Sequence, residues 1–172
     1  YKGPVLAGCP VVVTIHDLFF IGYPGRRRPA YDAVMTGLGR LYANRASAII
    51  ADSKYSKQSI MAQLGISADK VTVIPVALGK HFSPQPLTVE ACATYGLTSR
   101  YILYVGNFKP HKNVPRLVEA YAALPPSLKA IYQRVLAGSD QEHRPQLQQL
   151  AERLGVGDRV VFPGLIADED LS

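Results

Sequence analysis

The chain is poor in the features that most quickly place a protein. Only two cysteines, Cys9 and Cys92, occur in 172 residues, far apart and in no metal-ligand spacing. A disulfide scaffold and a zinc finger are thereby set aside, and reduced thiols point to a cytoplasmic setting. No apolar run approaches the roughly 20 residues that span a bilayer. The opening residues, YKGPVLAGCP, carry none of the apolar stretch of a secretory signal. No GxGxxG follows a strand, which argues against a nicotinamide-binding protein, and the absence of GxxxxGK[ST] argues against a P-loop hydrolase. Dense charge is scarce as well. The net charge of +6 and pI near 9.4 invite a nucleic-acid partner, but the basic residues are scattered. Their one dense run, Arg26-Arg27-Arg28, sits among Pro and Gly with no interleaved aromatics, so no nucleic acid is expected.

What is present reads as an α/β protein. Hydrophobic residues make up 48% and charged residues 19%, ordinary for a globular chain. Short apolar runs near 11–15, 47–51, 71–74, 101–105, 133–137 and 160–162 predict strands. Helical patterns near 29–45, 54–64, 114–124 and 144–154 alternate with them, as parallel sheets covered by helices require. The near-continuous runs VVVTI and YILYV predict strands buried on both faces. On helix 30–45, Val34, Leu38, Leu41 and Tyr42 share a face, with Arg40 and Arg45 nearby. That face is expected to pack on a sheet, with contact to anionic lipid as the sharper alternative.

Two segments follow one plan: LGISADKVTVIPV (Leu64–Val76) and LGVGDRVVFPG (Leu154–Gly164). In each, a helix ends in Leu, Gly takes the left-handed cap position, and Ile66 or Val156 packs back before a strand begins. They are successive units of one sheet or corresponding units of two domains. Between them Gly79–Arg100, rich in Pro, Thr and Ser, reads as a linker. The expected division is a half-domain at 1–80, a linker at 81–98 and a second half-domain at 99–172.

The chemistry concentrates in Tyr101–Tyr121, YILYVGNFKPHKNVPRLVEAY. A strand ends at Gly106, a basic loop follows, and a helix begins with Asn113 as its expected N-cap and Pro115 in its first turn. Val114, Leu117, Val118, Tyr121 and Ala122 form its apolar face. Strand, glycine, basic loop and helix N-terminus make an anion site, to which Lys109, His111 and Lys112 add donors. Lys112 is the leading candidate, a compact cation suited to negative charge that grows on a leaving diphosphate. His16 and Asp17 end the first strand, where ligands of open parallel sheets bind. Ser53 reads as an N-cap.

VGNFKPHKN resembles the donor-phosphate loop of the retaining, nucleotide-sugar-dependent glycosyltransferases of family 4. VVVTIHDL, IIADSKYSKQSI, KVTVIPVAL, LAGSD and LGVGDRVVFPGLIADEDL resemble further landmarks of that family, in its order along the chain. The resemblance implies the GT-B fold, two Rossmann-like parallel-sheet domains, each only partly represented here. It also implies that the family's acidic motif, a pair of glutamates contacting the donor, lies beyond the chain.

By the same resemblance Gly106 and Lys112 hold the donor's phosphates, with Lys109 beside them. Asn107 stands where many members carry Arg. Gly138, Ser139 and Asp140 resemble the nucleotide-side loop, and Gly164 and Leu165 the segment that receives the nucleobase. His16 sits near donor sugar and acceptor, donating a hydrogen bond to a sugar oxygen, with Asp17 orienting it or its loop. No metal and no cofactor beyond the nucleotide diphosphate sugar are expected, since GT-B enzymes generally work without a metal.

The resulting expectation is a retaining glycosyltransferase, of mannosyl- or rhamnosyl-type, that builds polysaccharide on a saccharide or lipid-linked acceptor. It is expected in the cytoplasm or at the inner face of the membrane, with this chain alone inactive. The alternatives are a GT-B nucleotide-sugar epimerase and an inactive nucleotide-binding module.

Overall fold

The structure is a computed structural model, and it describes residues 7–19, 21, 29–79, 82–83, 88–98 and 100–170. The Arg26–Arg28 run and His81 lie outside the described residues. The chain divides into two compact units, Tyr1–Leu78 and Gly79–Ser172. Each holds a three-stranded, fully parallel sheet, so the two copies of the repeated plan are corresponding units of two sheets.

In the first unit β1 (Val12–Thr14), β2 (Ala48–Ala51) and β3 (Val71–Val73) pair in that order. Helices α1 (Pro29–Arg45) and α2 (Lys54–Leu64) make the crossovers. The core gathers Ile15, Leu18, Ala43, Ile49, Ile60, Leu64, Ile66 and Val71. Ser53 caps α2, its hydroxyl accepting from the Ser56 N–H at 3.0 Å, and Gly65 closes the helix at φ 70°. The face expected on α1 is not packed on the sheet. Val34, Leu38 and Leu41 are 60%, 40% and 39% exposed, and the helix buries Gly39 and Ala43 instead. Gly39 faces Leu64, whose side chain a Cβ there would meet at an ordinary contact distance of 3.5 Å.

The second unit repeats the order with β4 (Tyr101–Val105), β5 (Gln133–Ala137) and β6 (Val160–Gly164). Helices α4 (Val114–Ala122) and α6 (Arg144–Arg153) cover one core with Phe108, Leu136, Val156 and Val160. Val114, Val118 and Tyr121 are buried, with Leu117 and Ala122 partly so, as the apolar spacing requires. Gly155 takes the left-handed cap at φ 67° and Val156 packs back, repeating Gly65 and Ile66.

Two helices arise where none was expected. One, α3 (Val89–Tyr95), lies inside the segment read as a linker, where Thr88 accepts from the Ala91 N–H at 3.1 Å and Gly96 closes the helix at φ 67°. The other, α5 (Pro126–Ile131), starts at a Pro-Pro pair. Burial also departs from expectation. YILYV and VVVTI are outer strands of their sheets, and Ile102, Leu103 and Val105 are 38–56% exposed. The strand buried throughout is β5, QRVLA, although it begins with two polar residues. Arg134 on it is 2% exposed and its Nε has no partner among the described residues, so burial lowers the guanidinium's affinity for its proton.

Candidate functional site

The carboxyl ends of the second sheet are laced together by glycines. The Gly106 N–H donates to the Ala137 carbonyl at 2.9 Å, and the Gly138 N–H donates to the Gly164 carbonyl at 2.8 Å. A Cβ on Gly138 would lie 2.0 Å from the Gly106 carbonyl oxygen, so the two strand ends can touch only because that position lacks a side chain. Gly106, Gly138 and Gly164 thus stand on one sheet edge, the edge where parallel sheets bind ligands.

From that edge the basic loop is pinned rather than free. Phe108 is 2% exposed and sits edge-on to Phe162 at 6.2 Å, plugging the loop into the core. The Tyr104 hydroxyl donates to the Asn107 carbonyl at 2.7 Å, and Asn107 Oδ1 accepts from the Lys109 N–H at 3.3 Å. The Asn107 carboxamide oxygen is therefore engaged by its own loop. Burial, and after it the Asp140 charge, raise the Tyr104 pKa, which keeps this hydroxyl a donor. Pro110–Lys112 form a short 3-10 turn that leads into α4.

Asn113 then adopts the left-handed conformation, φ 50° and ψ 38°, and its side chain caps nothing. This corrects the expected N-cap: the residue serves as a backbone turn, which Asn tolerates better than most. The first turn of α4 therefore presents the N–H groups of Val114 and Arg116, Pro115 having none, with no capping side chain over them.

A cleft of about 310 Å³ opens beside this loop, lined by Asn107, Lys109, Ser139, Asp140, Gln141, Glu142 and His143. Lys112 is not in its lining; it is exposed on the approach to α4. Leu165, directly after Gly164, is 75% exposed. In the first unit, His16 leaves the end of β1 with its imidazole 70% exposed. Asp17 accepts from the Phe19 N–H at 3.0 Å and so shapes its loop, and a carboxylate beside the His16 ring is that of Asp52, 3.4 Å from Nδ1.

Comparison with known proteins decides what this edge belongs to. Residues 2–77 match the domain described as Glycosyltransferase Family 4, and residues 95–172 match Glycosyl transferases group 1. The chain belongs to the family 4-like glycosyltransferases of the GT-B fold. The serotype-specific mannosyltransferase WbdA of Escherichia coli is 32% identical over 133 residues, 74% of this chain and 16% of WbdA. The O-antigen chain mannosyltransferase B of the same organism is 28% identical over 93% of this chain and 43% of its own length. The crystal structure of Anabaena HepE in complex with UDP and glucose aligns with a TM-score of 0.71 at 25% identity, over 94% of this chain and 43% of HepE. The chain thus spans less than half the length of the relatives it matches.

Within the second unit the residue that joins the loops at the sheet's carboxyl edge is Asp140, named in the sequence only as part of a glycine loop. Its side chain is 8% exposed. Oδ2 accepts from the Phe108 N–H at 2.9 Å, and Oδ1 accepts from the His143 N–H at 3.0 Å with His143 Nδ1 2.9 Å away. The His143 side chain, then the backbone N–H groups of His143 and Phe108, hold the Asp140 pKa down from 3.8 to about 2. The acid spacing to His143 at a helix start was the available signal. A second acidic feature is the Asp168-Glu169-Asp170 triplet, which has Asp-x-Asp spacing; Asp170 Oδ2 accepts from the Tyr95 hydroxyl at 2.8 Å. Among the described residues no group of three His, Cys, Asp or Glu could hold a metal ion, and no helix is long and apolar enough to cross a membrane.

The sign of the Asp140 linkage follows from its depressed pKa. The carboxylate steadies the loop fully above about pH 4 and loses that effect as pH falls through about 2. The Phe108 amide resonance, followed down in pH, should therefore keep its hydrogen-bonded position through pH 4 and shift near pH 2. A midpoint near 3.8 would mean that the carboxylate is not held by these donors.

Proposed function

We propose that the protein transfers a hexose, with retention at the anomeric carbon, from a nucleoside diphosphate sugar to a saccharide or lipid-linked acceptor. The observation that carries this reading is the second unit's sheet edge: strand β4, Gly106, a pinned basic loop and a helix start with no side-chain cap. Family membership and the UDP bound by HepE support it. Mannose is the favoured sugar because both curated relatives above are mannosyltransferases.

In this reading the diphosphate lies against the N–H groups of Val114 and Arg116, with Lys112 adding a full charge. As the bond from sugar to diphosphate breaks, negative charge grows on the phosphate oxygens. Donors fixed in advance stabilise that charge without having to reorganise. Gly138 and Ser139 border the nucleotide, and the backbone at Gly164 and Leu165 receives the base. The reading takes the front-face route, in which the departing phosphate assists the incoming hydroxyl. In the first unit, His16 offers its exposed ring to a hydroxyl of the acceptor.

Calorimetry of this chain with UDP and GDP against uridine and guanosine tests the reading. One diphosphate should bind at least about tenfold tighter than its nucleoside, the return expected for a charge-assisted phosphate contact. Equal affinity for both members of each pair would overturn it.

A further inference from the structure

His16 and Asp52 come from the carboxyl ends of neighbouring strands, and the first unit invests several polar groups in holding them. Ile15, 2% exposed, donates its N–H to the Ile50 carbonyl at 2.9 Å, which fixes the backbone where His16 begins. Behind His16 lies Ser56, 7% exposed, with Oγ 2.7 Å from the His16 carbonyl and 3.0 Å from Asp52 Oδ1. Ser53 Oγ, which caps α2, sits 2.9 Å from the same hydroxyl. The single hydroxyl hydrogen of Ser56 is thus within reach of two acceptors, the His16 carbonyl and the carboxylate beside its ring. The other Asp52 oxygen, Oδ2, is 3.4 Å from Nδ1, while most of the imidazole faces solvent.

A carboxylate only accepts hydrogen bonds, so a ring nitrogen at this distance is favoured when it carries the hydrogen. The partner of one ring nitrogen decides which tautomer a neutral histidine adopts. We propose that Asp52 is the positioning residue for His16, holding Nδ1 as the protonated nitrogen and leaving Nε2 as an acceptor for a substrate hydroxyl. The hydrogen bond then runs opposite to the one expected from the sequence: His16 takes a hydrogen from a sugar or acceptor hydroxyl instead of giving one. The inference rests on the glycosyltransferase reading for the identity of the hydroxyl, but the tautomer itself stands apart from it. A ring locked in this form selects a ligand group that can donate, so an ether or fluoro replacement at that hydroxyl is rejected.

Long-range 1H–15N correlation spectra of the imidazoles distinguish the tautomers directly. They are best recorded at about pH 8.5, well above the ordinary imidazole range near 6.5, with His16→Gln identifying the signal among the four histidines. In the unaltered chain His16 should show a protonated-type Nδ1 and an unprotonated-type Nε2. Asp52→Ala should move it toward the Nε2–H form that a histidine without such a partner favours. Asp52→Asn, which keeps an acceptor oxygen, should fall between. An Nε2–H majority in the unaltered chain overturns the proposal, whether or not the variants fold, and so does a His16 signal that ignores a folded Asp52→Ala. Diphosphate calorimetry reports separately on the second unit, so a failure to bind nucleotide would sink the donor reading and leave the tautomer result intact.

Discussion

Gly138→Ala should cost the second unit about 3–5 kcal/mol and abolish measurable diphosphate binding. The added methyl would begin 2.0 Å from the Gly106 carbonyl oxygen, a backbone atom that no side-chain rotation can move away. The backbone at Gly138, φ 156°, is also one that other residues rarely adopt. To accept the methyl, the ends of β4 and β5 must separate, and Phe108 and the Asp140 contact to its N–H must move with them. Gly164→Ala is the matched control. Its φ of 83° strains any other residue, yet no atom outside its own neighbours lies within 4 Å of the added Cβ. Only conformational strain remains there, about 1–2 kcal/mol. Denaturant unfolding of both variants, followed through second-unit signals, separates crowding from strain. Losses of equal size would show that the strand ends spread easily and that the glycine lacing is incidental.

The second large effect is expected at Lys112. Lys112→Ala should weaken nucleoside diphosphate binding about tenfold to a hundredfold, as befits a charge-assisted contact worth roughly 1.5–3 kcal/mol. Nucleoside binding should hardly change, because the variant removes no contact to base or ribose. Lys112 is exposed and outside the lining of the cleft that Lys109 shares with Ser139 and His143, so the two lysines make different claims. Lys109→Ala, run in parallel, decides between them. If the diphosphate-specific loss appears at Lys109 and not at Lys112, the phosphates sit in the cleft and not over the start of α4.

How much of this was legible in the sequence depended on the range of the forces involved. The strand–glycine–helix order around Gly106 and the left-handed caps at Gly65 and Gly155 are local, fixed by residues a few positions apart, and they read directly. Ranking strands by burial failed because YILYV looks more apolar than QRVLA, while position in the sheet, a tertiary property, makes β5 the buried strand. Helix α3 had visible signals in Thr88 and Gly96, masked by the Pro-rich and Ser-rich stretch around them. Asn113 has the chemistry of a cap and was read as one, but its tolerance of positive φ proved the property used. The carboxylates were the hardest to see. Nothing in the order of residues says that Asp52 faces His16, or that Asp140 reaches back to Phe108, since both pairings exist only once parallel strands stand side by side.

That parallel pairing also governs how the chain must find its structure. Tyr101 pairs with Gln133, Arg134 with Val160, Val12 with Ala48 and Ile49 with Val71, so among the described residues no ladder joins strands linked by a tight turn. Each sheet can begin only after a long stretch of chain, its crossover helix included, has closed on itself, and the entropy of that closure is spent before any hydrogen bond repays it. Slow folding follows, with apolar strands such as VVVTI open to solvent in the interval. Co-expression at reduced temperature with a holdase chaperone should therefore raise the soluble yield more than any change at the sheet's glycine edge, because the bottleneck lies in assembling the sheets.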